Sequence, residues 1–360
     1  MFLLLHKLFD VVAIGELLID FTPAGKSASG NVQFEQNPGG APANVAAAVA
    51  LWGQQSAFIG KVGDDPFGHF LNEALSDVGI DCSGLIYADD SNTTLAFVHL
   101  DESGDRSFSF HRKPGADSML RMEEVNLTLI DTAAIFHFGT VSMTKEPARS
   151  ATLMAAKYAS DKGVSVSFDP NLRMSLWTDS DEAKQAMEEG LRIADIVKLS
   201  EEELEFLFRL QEGSTGGAEV EAEADGEAEA DSENAVDIDG SGAAGIERYV
   251  HWLMERYPTI SLLLITLGAR GCYYKTSKHE GSILGYSANV VDTTGAGDVF
   301  LGGVLYQINE KKLQLSDLSK EEIEYAVDFA NAAASLTVTK RGAIPAIPSL
   351  EEIDRRIRSY

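Results

Sequence analysis

Short apolar runs rich in β-branched residues alternate along most of the chain with longer stretches whose apolar positions recur every three or four residues. VVAIGELLIDF (residues 11–21) is nearly continuous in apolar side chains, the pattern of a strand buried on both faces. It reaches a carboxylate, Asp20, near its end. SAFIGKV (56–62), AAIFHF (133–138), VSVSFD (164–169), DIVKL (195–199) and SLLLITL (261–267) read the same way. Helices are expected over 69–78, 148–162, 181–192, 295–309 and 321–337, and in the Ala-rich VAAAVALW (45–52). This alternation predicts an α/β fold, a mainly parallel sheet sandwiched by helices.

One stretch departs from the rhythm. TTLAFVHLDESGDRSFSFHR (93–112) alternates apolar and polar, breaks at a Ser-Gly turn and alternates again, which predicts an antiparallel hairpin. With the polar passage after Asp20 it forms a small sheet, a β lid over 21–37 and 94–112 within a domain spanning 10–360. A flap over an active site and an edge that pairs two copies of the chain are both open readings, and they are compatible. The tail RGAIPAIP (341–348) is expected to run extended, held so by its prolines.

Composition narrows the possible partners. The chain has 360 residues, 44% of them hydrophobic, and a formal net charge of -27. That balance argues against nucleic acid or an anionic membrane surface, both of which call for clustered Lys and Arg. Eleven acidic residues fall within 212–239, a segment without Lys or Arg, so the remainder carries -16. The surrounding 211–245, poor in bulky apolar residues, reads as an acidic disordered insertion in a surface connection between helices. Cys82 and Cys272 stand alone and far apart, in keeping with a reducing cytosol. The apolar start, MFLLLHKLF, is too short to span a bilayer and reads as a short extension.

The candidate chemistry gathers at turns and strand ends. DTTGAGDVF (292–300) describes a tight turn that becomes a helix N-terminus. Gly295 and Gly297 leave no side chain between the amides and a ligand, and free N–H groups at a helix start bind anions. Asp298 in such a cradle has two readings. It is a helix cap, or it is the base that takes a proton from a neutral hydroxyl while the amides hold the phosphoryl group being transferred. Pro38-Gly39-Gly40-Ala41-Pro42-Ala43-Asn44 lets a ligand approach the backbone at Gly39 and Gly40, and Asn44 offers a donor and an acceptor suited to a diol. Asp20 is either a turn former or an acceptor for substrate hydroxyls. Three more strand ends carry polar groups: 169–173 with Asn171 and Arg173, 198–203 with Lys198 and Glu203, and 266–271 with Thr266, Gly268 and Gly271.

These motifs resemble those of the ribokinase-like, or PfkB, family of carbohydrate kinases. GGAPANVA (39–46) and DTTGAGDVFLGG (292–303) match its two signatures, with a TLGARG segment between them. GELLIDFTP, IGKVGDDPFG, FHRKPGAD and DPNLR are most similar to fructokinases. The resemblance covers the chain from about residue 10 to 348, apart from the acidic insertion. It implies a Rossmann-like core with a β lid, ATP as donor, Mg²⁺ on its phosphates, and Asp298 as the base with Gly295, Ala296 and Gly297 as anion hole. By the same implication Asp20, Gly40 and Asn44 hold sugar hydroxyls and Arg106 on the lid closes over the sugar. Asn171 and Arg173 face phosphates or sugar, Thr266 to Gly271 line the nucleotide, and Asn331 lies near the adenine. A K⁺ or similar monovalent cation belongs near Asp292 and Thr294, and a homodimer through the lid is typical of the family. The family's Asn-x-x-Glu motif appears here as Ser200-Glu201-Glu202-Glu203, with Ser200 in place of the amide. The expected reaction is ATP-dependent phosphorylation of D-fructose to fructose 6-phosphate. 2-Keto-3-deoxygluconate, ribose and other small sugars are the alternative substrates. A non-catalytic sugar or nucleotide sensor on the same fold is the alternative of another class.

Overall fold

The structure, a computed structural model, describes residues 7–100, 106–212 and 242–359. Two strands and a third open the chain: β1 (Phe9–Ile14), β2 (Leu18–Lys26) and β3 (Val32–Gly39). After α1 (Ala41–Leu51) come β4 (Ser56–Gly63), α2 (Pro66–Asp77), β5 (Ile80–Ala88), β6 (Leu95–Leu100) and β7 (Arg106–His111). The middle of the chain carries α3 (Leu127–Asp131), β8 (Ala133–Phe138), α4 (Ala148–Asp161), β9 (Ser165–Phe168), α5 (Ser180–Leu191), β10 (Ile196–Ser200) and α6 (Glu201–Glu212). It closes with α7 (Gly242–Arg256), β11 (Leu262–Thr266), β12 (Cys272–Lys275), β13 (Glu280–Ile283), α8 (Ala296–Glu310), α9 (Lys320–Thr337) and α10 (Leu350–Arg358).

The large sheet has the order β13-β12-β11-β10-β9-β8-β1-β4-β5. It is parallel from β11 to β5, with β12 and β13 added antiparallel at one edge. Side chains on a buried strand alternate between faces. Val12 and Ile14 accordingly join the core under α3 to α7, while Val11 and Ala13 face α1, α8 and α9. The expected α/β sandwich is what forms. Among the described residues no helix is long and apolar enough to cross a membrane.

The run at 11–21 is not one strand. β1 ends at Ile14, and β2 leaves the large sheet for the small one, whose order is β3-β2-β6-β7. Gly15 permits the departure: a Cβ there would lie 2.5 Å from Cγ of Pro42. Asp20 therefore belongs to the small sheet, opposite Asn37 of β3 and Ala96 of β6, rather than to the end of a central strand. The tail also differs from expectation. It makes a short helical turn at Ile344–Ala346 and passes into α10, capped by the reciprocal bonds of Ser349 and Glu352. In the acidic segment, α6 extends to Glu212 and α7 begins at Gly242; the remainder of the disordered insertion expected there lies outside the described residues.

Candidate active site

The carboxyl ends of β1, β9 and β10 open into a cleft of about 750 Å³, the place where open α/β sheets bind ligands. Its walls come from the β1–β2 junction, the first turn of α1, the loop after β9 and the first turn of α8; Phe110 of β7 in the small sheet also lines it. A second cavity of about 300 Å³ lies between the 266–271 turn, the 285–290 segment and α9. Thr293 and Gly297 line both. The Gly-Ala-Gly turn thus stands between two compartments.

Gly295 caps α8 with φ 78°, and a Cβ on it would lie 2.6 Å from that of Ala343. The turn needs glycine for conformation and for space. The N–H groups of the first helical turn have no carbonyl one turn back to accept from them, although that of Ala296 lies 3.3 Å from the Thr293 carbonyl. Asp298, only 6% exposed, does not serve as a cap. Its Oδ2 accepts from Asn44 Nδ2 at 2.8 Å and its Oδ1 from Asn171 Nδ2 at 3.2 Å. Burial and the charge of Asp169 push its pKa up to about 6, against the pull of the Asn44 hydrogen bond, Lys198 and Arg173.

Three acceptors line the side of this cleft nearest β2 and α1. Asp20 is pushed up to about 7 by burial, with Arg173 opposing and Asp292 and Asp298 adding to the rise. Gly39 makes room for it, since a Cβ there would fall 2.1 Å from Asp20 Oδ2. Glu16, which the motif reading missed, is 3% exposed and also pushed up to about 7 by burial. Its Oε1 accepts from the Ala41 N–H at 2.9 Å, tying β1 to α1, while its Oε2 is buried without a partner. Asn44 Oδ1 is likewise buried without one. Gly40, at φ 129°, brings this backbone close, for a Cβ would meet the Glu16 carbonyl oxygen at 2.3 Å. The only available sequence signal for Glu16 was a charge set inside an apolar strand run.

On the other side, Lys198 is 7% exposed and pairs with Asp169 at 3.0 Å. Burial opposes its charge, but Asp169, Glu203 and Asp298 together hold its pKa above the ordinary lysine value. Arg173 is exposed at the rim, its Nη1 donating to the Leu172 carbonyl at 3.1 Å. Glu203 accepts from the N–H groups of Ser200 and Leu172, each at 2.8 Å, and its own N–H donates to Ser200 Oγ at 3.2 Å. Ser200 and Glu203 form a capping box for α6, so the serine does the capping work an asparagine would do.

Thr266, Gly268, Gly271 and Asn331 all line the second cavity. Gly271 is forced by space, because a Cβ would lie 2.1 Å from the Ile283 carbonyl oxygen. Asn331 Nδ2 donates to the carbonyls of Ile283 and Leu284 at 3.2 and 3.3 Å, which fixes the cavity wall. Asp292 lines neither compartment; it accepts from the Thr294 N–H at 2.8 Å and the Gly342 N–H at 3.1 Å and so braces the turn. Arg106 begins β7, and its side chain lies outside the described residues.

The family model described as pfkB family carbohydrate kinase matches residues 8–350. Fructokinase-1 of Oryza sativa subsp. japonica is 41% identical over 351 residues, covering 97% of this chain and 98% of its own. The crystal structure of fructokinase with bound ATP from Xylella fastidiosa superposes with a TM-score of 0.81 at 32% identity, covering 97% of this chain and 98% of that one. That of fructokinase from Vibrio cholerae O395, bound to fructose, ADP and calcium ion, gives 0.78 at 31%, covering 98% and 99%. The chain belongs to the pfkB family of carbohydrate kinases, enzymes that transfer a phosphoryl group to a sugar hydroxyl.

Proposed function

We propose that this chain transfers the γ-phosphoryl group of ATP to the 6-hydroxyl of D-fructose, giving fructose 6-phosphate and ADP. The observation that carries the reading is Asp298, held by two amide donors where the two compartments meet. The sugar oxygen attacks the γ-phosphorus, its proton passes to Asp298, and the bond from phosphorus to the β-phosphate oxygen breaks, leaving on ADP. The first-turn amides of α8 and the Lys198 ammonium stabilise the charge that accumulates on the transferred oxygens.

A neutral polyol suits the cleft better than a sugar acid. Glu16, Asp20 and Asn44 present acceptors that need donors, and hydroxyls supply them. The carboxylate of 2-keto-3-deoxygluconate would meet those acids, with Arg173 at the rim and Lys198, already paired with Asp169, as the cations lining the cleft. The named relatives favour fructose over ribose.

Magnesium, when bound, neutralises charge on the ATP phosphates. Among the described residues no group of three or more His, Cys, Asp or Glu could hold a metal ion by itself. Glu202 and Glu203, both lining the cleft, would be the carboxylates that hold such a cation beside the phosphates. A monovalent cation at Asp292 and Thr294 rests on the family resemblance; equal rates in sodium and potassium salts would remove it. Two further readings extend this one. Val32 and Phe34, 56% and 39% exposed, the latter edge-on to Phe97 of the Phe21–Phe97 stack, support a homodimer through the small sheet, which a monomeric sedimentation mass would exclude. The free thiols of Cys82 and Cys272 support a reducing, cytoplasmic location, which cell fractionation tests.

The deciding measurement is ADP release from Mg-ATP with fructose, ribose, 2-keto-3-deoxygluconate and no sugar. The highest kcat/KM is expected with fructose and the lowest among the sugars with the acid. A clear preference for another sugar overturns the fructose assignment.

A further inference from the structure

We propose that Asp169 is a positioning residue for phosphoryl transfer, fixing the Lys198 ammonium and the Asn171 amide that flank the Asp298 carboxylate. The inference rests on the kinase reading but not on fructose as the sugar. Asp169 follows β9 directly and is 2% exposed. Its two oxygens lie 3.0 and 3.3 Å from Lys198 Nζ, and Oδ1 also accepts from the Asn171 N–H at 3.2 Å.

Each of these contacts leads to the reaction centre. Asn171 has φ 48°, the left-handed region that asparagine tolerates better than most residues. In that conformation its Nδ2 donates to Asp298 Oδ1. Lys198 Nζ lies 3.0 Å from where a Cβ on Gly297 would be, so the ammonium is set against the first turn of α8. One carboxylate therefore governs a neighbour of the base on one side and a cation beside the anion cradle on the other.

The support beneath Asp169 is rigid. Its N–H donates to the Phe138 carbonyl at 3.2 Å, and the next carbonyl, of Pro170, accepts from both the N–H and the hydroxyl of Thr140, at 3.0 and 2.7 Å. Gly139 lets β8 come this close, because a Cβ there would lie 2.8 Å from the Asp169 carbonyl oxygen. A buried ion pair is by itself weak evidence of a stabilising role, since desolvation offsets much of the attraction. What gives this pair a task is its place under the transfer turn.

Asp169→Asn tests the idea, because it keeps the volume and an acceptor for the Asn171 N–H while removing the charge. Assayed with Mg-ATP and the best sugar of the wild-type panel, kcat should fall on the order of 10²-fold. The sugar KM should stay within roughly 3-fold, as expected for an interaction realised in the transition state. The acid limb of the pH profile should also move to lower pH. Of the groups acting on Asp298, Asp169 opposes its ionisation while Lys198, Arg173 and the Asn44 amide favour it. Asp20, which Asp298 itself affects, is present in both proteins. A full-strength kcat, or a loss of kcat with the acid limb unmoved, overturns the proposal. Should the single variant fail to fold, Asp169→Asn/Lys198→Met removes both charges, and it is compared with Lys198→Met alone. Equal kcat in those two proteins supports action through Lys198; a further drop on adding Asp169→Asn overturns it.

Discussion

A carboxylate that accepts from two amides would ordinarily ionise easily, yet burial and Asp169 hold Asp298 up to about 6. A base must be ionised to work, so kcat/KM should fall as pH drops through about 6, which a pH–rate profile reads directly. Asp298→Asn should lower kcat by roughly 10²–10⁴-fold and leave the sugar KM near its wild-type value. Undiminished turnover in that variant would assign the proton to another group. Glu16 carries a different cost. Its folded pKa, about 7, lies above the ordinary 4.5, so folding favours the protonated form. That contribution to stability is full below 4.5 and is lost as pH rises through about 7. Glu16→Gln should therefore raise Tm at pH 8, by the equivalent of at most about 3 kcal/mol, and bring little gain at pH 4.5. The same change replaces a buried acceptor in the cleft with a donor and, if that cleft takes the sugar as proposed, should raise the sugar KM. A lower Tm at pH 8 would show that the Ala41 contact outweighs the buried charge.

At the scale of elements, the α6 capping box joins two functions. Ser200 Oγ accepts from the Glu203 N–H, and Glu203 in turn holds the Leu172 N–H of the loop that carries Asn171 and Arg173. Asparagine and serine cap helices about equally well, so Ser200→Asn should melt within roughly 0.5 kcal/mol of wild type, whereas Ser200→Ala should lose about 1 kcal/mol. A larger loss in the asparagine variant, measured by denaturant unfolding, would mean that the hydroxyl does more than cap. The motif with its glycines was legible in sequence because its spacing is local: Gly295, Gly297 and Asp298 belong to one turn. Asp169 and Glu16 were not, because a buried charge whose partners are distant in the chain looks like a turn residue or an interruption in a strand. The break at Gly15 was hidden for the same reason, since what it avoids is the ring of Pro42, and the apolar run resumes at Leu17–Ile19 after the single charge of Glu16. β12 and β13 are four residues each and partly polar, too short for a period to show. α10 buries only Ile353, so its charged sequence carries little apolar period, although Ser349 and Glu352 already spelled its cap.

Across the whole molecule, α6 leads away from the chemistry. α6 begins at the cleft, where Glu202 and Glu203 line it, and runs for 12 residues, about 18 Å at the rise of an α-helix. Its far part is joined to α7 by side chains: Phe208 lies 3.9 Å from Tyr249 and 5.9 Å from Trp252, centroid to centroid, and Arg248 stands 5.6 Å from its ring. That contact does not require residues 213–241, whose ten carboxylates face no Lys or Arg within the segment. Replacing 213–241 with about six Gly and Ser residues shortens the loop by somewhat more than two halvings, which lowers its closure cost by roughly 1 kcal/mol. The shortened protein should therefore keep its kcat/KM within about 2-fold and melt slightly higher. Removing a block of like charge should also weaken the dependence of Tm on salt, because exposed charges repel over about 10 Å at 0.1 M ionic strength and less at higher. Thermal melts at low and high salt, run beside the ADP-release assay, separate the outcomes. A folded variant without activity would place the acidic segment in catalysis, and an unfolded one would mean that the aromatic contact between α6 and α7 is not sufficient to hold them.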